Sequence, residues 1–360
     1  MDGRRRDSYL RPAIVAACLA LCSAGVGLIT GRVEADRFRT GSPPVDDPST
    51  VATDSPDPSG TATTSIPTAA PTTVASGKPD FRTTWVDTMD LSAVRRAWNT
   101  ARTRPRHRMN WTGSVTDCRP GETSPSFKAD VLARVQWFRA MAGVSPAVTL
   151  NESSNRYAQA SALVMSAADD LSHEPDSYWP CYSEEAFTGA SHSNLFLGSF
   201  GVDAIDGYIE DSGEDNLSVG HRRWILDPTL ISIGTGDTRN SNSLFVINEE
   251  SNEGASTREP DGFVMWPPRG YVPRSQIYER WSVSHRTADF SDATVTVALE
   301  GRTRVFRMPY ADTDGYGGLN SLTFEWRRPE KGSGPVHVTI DKIRLGGTYV
   351  SLRYEVLPFG

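Results

Sequence analysis

Lysine is scarce in this chain. Of 37 basic side chains only Lys78, Lys128, Lys331 and Lys342 are lysines, and 44 acids bring the formal net charge to −7. That balance excludes a general nucleic-acid binder, so no nucleic acid is expected among the partners. Cysteine is scarce too. Two of the four, Cys18 and Cys22, lie inside an uncharged N-terminal run, which leaves Cys118 and Cys181 beyond it. Cysteine spacing of a structural zinc site is absent. There is no Gly-x-Ser-x-Gly elbow to present a nucleophilic serine, and no internal repeat. From Thr40 to Ser76 large apolar residues are almost missing. Such a stretch cannot bury enough surface to offset the entropy of ordering it.

The N-terminus carries the clearest signal that is present. Residues 1–11 include Arg4, Arg5, Arg6 and Arg11, and residues 12–31 are free of charge. At about 1.5 Å per residue the run matches the hydrocarbon thickness of a bilayer. The basic flank should stay in the cytoplasm and everything after Arg32 should face outside. A transmembrane signal-anchor and a cleaved signal peptide are both compatible with this. The run is long for a signal core and Leu28-Ile29 extend it past a cleavage point near Ala24, which favours the anchor. Cys22 invites lipidation, but Leu21 stands where a small residue is needed. The chain is then either held in the cell membrane with its C-terminal region outside, or secreted. Residues 32–84 read as a disordered Ser/Thr/Pro-rich stalk. In an oxidising compartment Cys118 and Cys181 can form a disulfide, the alternative being two free thiols.

Beyond the stalk the composition becomes globular, and an α+β order is expected with helices in front. Val131, Leu132, Val135, Phe138 and Met141 recur at helical spacing between Ser124 and Val144, with Gly143 as a stop. Asn151 opens a second helix to about Leu171, rich in small residues, and His173 follows it. Val202–Glu210 reads as a third helix. Ile231–Gly236 and Ser243–Asn248 read as strands. The boundary falls near residue 250, giving units of 85–250 and 251–360. In the second unit Ala293–Leu299, Val336–Ile340 and Tyr349–Val356 alternate with strand period, and Gly-rich turns suggest a small β-sandwich.

One ordered set of motifs points to a family. Trp137-Phe138-Arg139-Ala140-Met141-Ala142-Gly143 is followed by Leu171-Ser172-His173, then Asn194-Leu195-Phe196-Leu197-Gly198. Ala204-Ile205-Asp206-Gly207-Tyr208, Gly220-His221-Arg222-Arg223-Trp224-Ile225-Leu226 and Ile233-Gly234-Thr235-Gly236 complete it. The set resembles the CAP superfamily (cysteine-rich secretory proteins, antigen 5, pathogenesis-related 1) in its bacterial SCP-like extracellular form, over roughly 127–248. The resemblance implies a CAP-like α-β-α sandwich with a cleft holding two histidines and two acids. His173 and His221 match the histidines. Ser193, with His192 before it, stands where the first acid belongs, and Asp203 is nearest to the second. Gly213-Glu214-Asp215-Asn216 is longer than in compact members. Members are variously lipid or sterol binders, metal binders and occasional proteases.

The candidate cleft therefore comprises His173, His192, Ser193, Asn194, Asp203 and His221. His173 and His221 could hold a divalent metal such as zinc through imidazole nitrogens, with a third ligand from His192, Asp203 or Glu185. Alternatively both orient loops by local hydrogen bonds, or face a ligand without metal. Ser193 beside His192 has the ingredients of a nucleophile and base, but sequence adjacency does not make them face each other. Arg222 and Arg223 are either a cationic rim or partners of Asp211, Glu214 or Asp227. Trp224 is expected in the core. Trp266 to Tyr271 is either an exposed aromatic patch or a cover for a sheet edge. His107, His285 and His337 read as solvated or satisfied. Asn110-Trp111-Thr112 and Asn216-Leu217-Ser218 are glycosylation sequons. The leading expectation is a membrane-anchored extracellular module that binds a lipid, glycan or protein without turnover. The rival is a metal-dependent hydrolase acting on extracellular or envelope substrates.

Overall fold

The computed structural model describes residues 84–248, 251–252, 254–299, 302–306, 310–312, 319–326 and 334–360. The basic segment, the apolar run and the stalk up to residue 83 lie outside the described residues. Among those described, no helix is long and apolar enough to cross a membrane. The architecture is α+β, with several sheets.

Four of the helices begin where polar caps stand. α1 (Leu91–Arg102) starts on Asp90, whose carboxylate accepts from the Ser92 amide. α2 (Pro125–Ala142) starts on Ser124, whose hydroxyl accepts from Phe127, and stops at Gly143 in the left-handed region, φ 78°. After β1 (Thr149–Leu150), α3 (Glu152–Ala168) starts on Asn151 and is capped by Asp169, its last residue three short of the expected Leu171. α4 (Glu184–Ser191), capped by Ser183, leads straight into β2 (Ser193–Leu197). α5 (Gly201–Glu210) and α6 (Gly220–Leu226) precede β3 (Ser232–Asp237) and β4 (Ser241–Phe245).

These strands form one sheet in the order β1-β3-β4-β2, with β1 and β3 parallel and the other pairs antiparallel. One face, carrying Phe196, Ile233, Leu244 and Val246, packs into a core with α1, α2, α5 and α6. Leu195 points the other way, into a cluster with Ala160, Val164, Met165, Ala186 and Ala190 of α3 and α4. α3 lies unusually close to the sheet, which is why its sequence is rich in small residues. A Cβ on Gly234 would stand 2.2 Å from the Ser154 carbonyl carbon, and one on Gly236 would stand 2.1 Å from the Gln159 amide nitrogen. β1 pairs with only the first part of β3. Beyond it, side chains one turn apart on α3 complete the bare edge. Asn155 Oδ1 accepts from the Thr235 amide at 2.9 Å, while Gln159 accepts from the Asp237 amide at 3.1 Å and donates to its carbonyl at 3.0 Å.

Residues 264–359 add nine strands among the described residues. They are β5 (Val264–Trp266), β6 (Gly270–Pro273), β7 (Arg280–His285), β8 (Thr294–Leu299), β9 (Arg302–Phe306), β10 (Tyr310–Asp312), β11 (Asn320–Glu325), β12 (Val336–Leu345) and β13 (Thr348–Phe359). Two sheets result, β10-β11-β7-β5 and β6-β13-β12-β8-β9. Alternate residues Val295, Val297 and Leu299, Val338 and Ile340, and Leu352 and Val356 share one buried cluster with Trp281, Val283, Leu322 and Phe324 of the other sheet.

Trp266 removes one of the two alternatives for its stretch. It is fully buried, 5.1 Å from the Phe138 ring and 6.4 Å from the Trp137 ring, so it belongs to the helical core and to no surface aromatic patch. Cys118 and Cys181 are joined as a disulfide, tying the segment before α2 to the loop before α4.

Two stability predictions follow from this packing. Gly236→Ala must push backbone away from backbone, so thermal or urea denaturation should show a loss of about 1–3 kcal/mol or more. Reducing the disulfide, which closes a 63-residue separation, should lower stability by about 4 kcal/mol on the chain-entropy account. A melting curve unchanged by reductant would contradict it.

Candidate functional site

The site is built where α5 ends and α6 begins. Asp211 terminates α5 in the left-handed conformation, φ 50°, with its amide bonded to the Gly207 carbonyl. Its carboxylate is turned inward and sealed from solvent. Oδ1 accepts from His221 Nδ1 at 2.8 Å, and Oδ2 accepts from the Arg222 amide at 3.2 Å. The imidazole of His221 stacks on the buried Tyr208 ring at 5.4 Å. Tyr208 in turn reaches Asn194 O at 2.9 Å and Asn242 Oδ1 at 2.9 Å. Asn194 Nδ2 donates to the His221 carbonyl at 3.0 Å, so β2 grips the same residue from the sheet side.

His173 lies across from this group, in the loop after α3. Its Nδ1 donates to the Ala190 carbonyl at 2.9 Å, at the end of α4. Both histidines therefore commit Nδ1 to a protein acceptor. Neither Nε2 has a hydrogen-bond partner among the described residues.

The two acceptors differ, and proton affinities follow. Burial works against the charged form of His221, but the Asp211 carboxylate and the hydrogen bond to it outweigh that, and the pKa stands above its ordinary 6.5. His173 goes the other way. Removal of its ring from water holds its pKa below 6.5; the Ala190 carbonyl opposes this, and the nearness of His221 adds to it.

The other expected site residues lie elsewhere or do other work. His192 donates from Nδ1 to the Thr188 carbonyl at 3.0 Å and stacks on Phe245 at 5.4 Å. Its carbonyl accepts from Val246 and Ile247, which ties β2 to the end of β4. Ser193 is buried with its hydroxyl unpartnered, on the same strand face as Leu195, and no histidine bonds to it. Asp203 is in the first turn of α5, exposed and paired with Arg106 at 2.8 Å. It is about 12 Å along the helix from Asp211. Glu185 is exposed on α4. Among the described residues, no group of three or more His, Cys, Asp or Glu is arranged to hold a metal ion. His173 and His221 supply two donors of the right kind, which falls short of a zinc site.

The acid beside His221 is Asp211, which sequence reasoning had weighed only as an arginine partner. The signal available was its place directly after a helix, where Asp tolerates the left-handed turn. Arg222 and Arg223 are each 1% exposed, so neither forms a cationic rim. Arg222 donates to the Ile209 and Glu210 carbonyls and to Ser282, and Arg223 pairs with Asp312 at 3.1 Å. Trp224 is half-buried against the core. His285 is satisfied through both nitrogens, while His107 and His337 pair with Asp130 and Glu355.

Residues 132–248 match the sequence profile of CAP, the Cysteine-rich secretory protein family. This region is a CAP domain. The match begins within α2 and ends just past β4, so it covers all six residues of the candidate cleft together with Asp211. No curated protein matches the chain, and no solved structure does.

The CAP histidines have opposite pH signatures. His221, with its raised pKa, contributes stability that is present below 6.5 and lost as pH rises through its folded value. His173, with its lowered pKa, contributes stability present above 6.5 and lost as pH falls through its folded value. Imidazole NMR on metal-free protein should put the His221 midpoint above 6.5 and that of His173 below it. Asp211→Asn should bring the His221 midpoint down. A reversed order of midpoints would show the pairing to be misassigned.

Proposed function

We propose that this chain is an extracellular ligand- or surface-binding protein, held to the cell membrane by residues 12–31 and raised on the stalk 32–84. Residues 85–250 act as an α-β-α CAP domain, and 251–360 as a β-sandwich behind it. The cleft around His173 and His221 receives a lipid, glycan or protein group and does not turn it over. The secretory description of the family supports the extracellular placement.

One observation carries the reading. Both imidazoles are fixed through Nδ1 and leave Nε2 free, while the residues that would complete a metal or nucleophilic centre are engaged or apart. A fixed donor and a fixed acceptor suit recognition of a polar ligand group. His221, backed by a carboxylate, favours the donating imidazolium, and His173, backed by a carbonyl, keeps an acceptor lone pair.

Calorimetric titration of zinc into the purified protein tests this against a metal-dependent hydrolase. Millimolar or absent binding is expected, unchanged in the His173→Ala/His221→Ala variant. Micromolar or tighter binding, about 8 kcal/mol or more, lost in that variant would favour the hydrolase instead.

A further inference from the structure

The strand residue Arg280, in β7, sends its guanidinium out of its own sheet and into the α5–α6 turn. One nitrogen, Nη1, donates to the Asp211 carbonyl at 2.8 Å and to the Asn216 carbonyl at 2.8 Å. Nη2 pairs with Glu325 at 2.7 Å, at the surface. Arg280 is itself buried, 6% exposed. Two neighbouring contacts join the same sheet to this region, one donated by the sheet and one accepted by it. Thr323 of β11 donates to the Leu217 carbonyl at 2.7 Å, and Ser282 of β7 meets Arg222 at 3.0 Å. The turn between α5 and α6 is thus held by one sheet at Asp211, Asn216 and Leu217.

The turn needs such a grip. Val219, the residue that launches α6, sits in the left-handed region with φ 48° and ψ 45°. That conformation is costly for a β-branched side chain, about 1–3 kcal/mol, and persists only where the surroundings over-determine it. Asp211 at the other end of the turn is left-handed as well. Its carboxylate sets Nδ1 of His221 as the protonated nitrogen, because a carboxylate can only accept.

We propose that Arg280 is a positioning residue for His221: by holding the Asp211 and Asn216 carbonyls, the C-terminal sheet keeps the Asp211 carboxylate behind the imidazole and leaves Nε2 facing the cleft. The proposal rests on reading the His173–His221 cleft as the functional site. It gives the C-terminal region a role within that site, since the CAP domain then lacks a fixed His221 without its neighbour.

The test is Arg280→Lys, which keeps the charge but ends one bond short of the position of Nη1, the single atom that holds both carbonyls. Imidazole ¹⁵N shifts of His221, read in ligand-free full-length protein where the ring is neutral, report which nitrogen carries the proton. The parent should show the Nδ1–H form. In Arg280→Lys that form should be lost in favour of Nε2–H while the circular dichroism spectrum stays native. A folded variant with the Nδ1–H form intact overturns the proposal, as does an equal loss in Glu325→Gln, which spares the carbonyl contacts. Should Arg280→Lys not fold, Arg280→Met, which has no donor for either carbonyl, is read the same way, and an unchanged tautomer there also overturns it. The readout involves no ligand, so a failed binding reading of the cleft shows in calorimetry and leaves this result to stand or fall alone.

Discussion

Buried guanidinium groups that clasp backbone carbonyls are the constraint on which the rest depends. Arg139 of α2 is fully buried and donates to the carbonyls of Ser145, Ile225, Asp227 and Leu230. Arg222 takes those of Ile209 and Glu210, and Arg280 those of Asp211 and Asn216. Helix ends and irregular turns leave carbonyls that must find donors, and a buried cation is tolerable only when its donors are used. Each need answers the other, with Arg280 Nε the one donor of the three side chains left over. Burial pulls the pKa of Arg139 and of Arg222 down to about 10, so both stay charged at neutral pH. Between them the three arginines hold the carbonyls at the end of α5, in the turn before α6 and at the C-terminal end of α6, and so hold the helix that carries His221.

The electrostatics of α5 complete the arrangement. Asp237, buried under the start of α5, accepts from the Gly201 amide at 2.7 Å and from Asn242 at 2.7 Å. A carboxylate is favourable at the positive end of a helix dipole. Burial nevertheless pushes its pKa up to about 6, against those hydrogen bonds. At the other end Asp211 faces the negative pole, and there the cation-favouring ring of His221 offsets it. The same Asn242 that bonds Asp237 accepts from Tyr208 beneath His221. The histidine is therefore supported by a continuous buried polar path running through the sheet.

Much of the helical half was legible because the governing rules are local. Ser124, Asn151 and Gly143 cap the helices where cap chemistry places them. Val131, Val135 and Phe138 of α2 are buried as their spacing demands. The strand periods of β8, β12 and β13 were equally plain. Less legible were α4 and α6, of eight and seven residues, because so short a helix depends on packing more than on propensity. β1 escaped notice for the same reason: two residues carry no period. Trp266 stayed open between two readings because a Trp-Pro-Pro run looks alike whether it covers a core or faces solvent.

The sequence by itself determined the cap positions, the periodic elements, the pairing available to Cys118 and Cys181, and the two histidines worth attention. The first three follow from composition, spacing and elimination, and the histidine pair from the family resemblance of the motifs around it; none needs a third dimension. Only the tertiary structure decided that Asp211, and not Asp203, stands beside His221. It also decided that Arg222 and Arg223 point inward, and that a strand about sixty residues on in the chain holds the turn. Those outcomes depend on which backbone carbonyls are left bare once helices end, and that becomes defined only when the elements have packed.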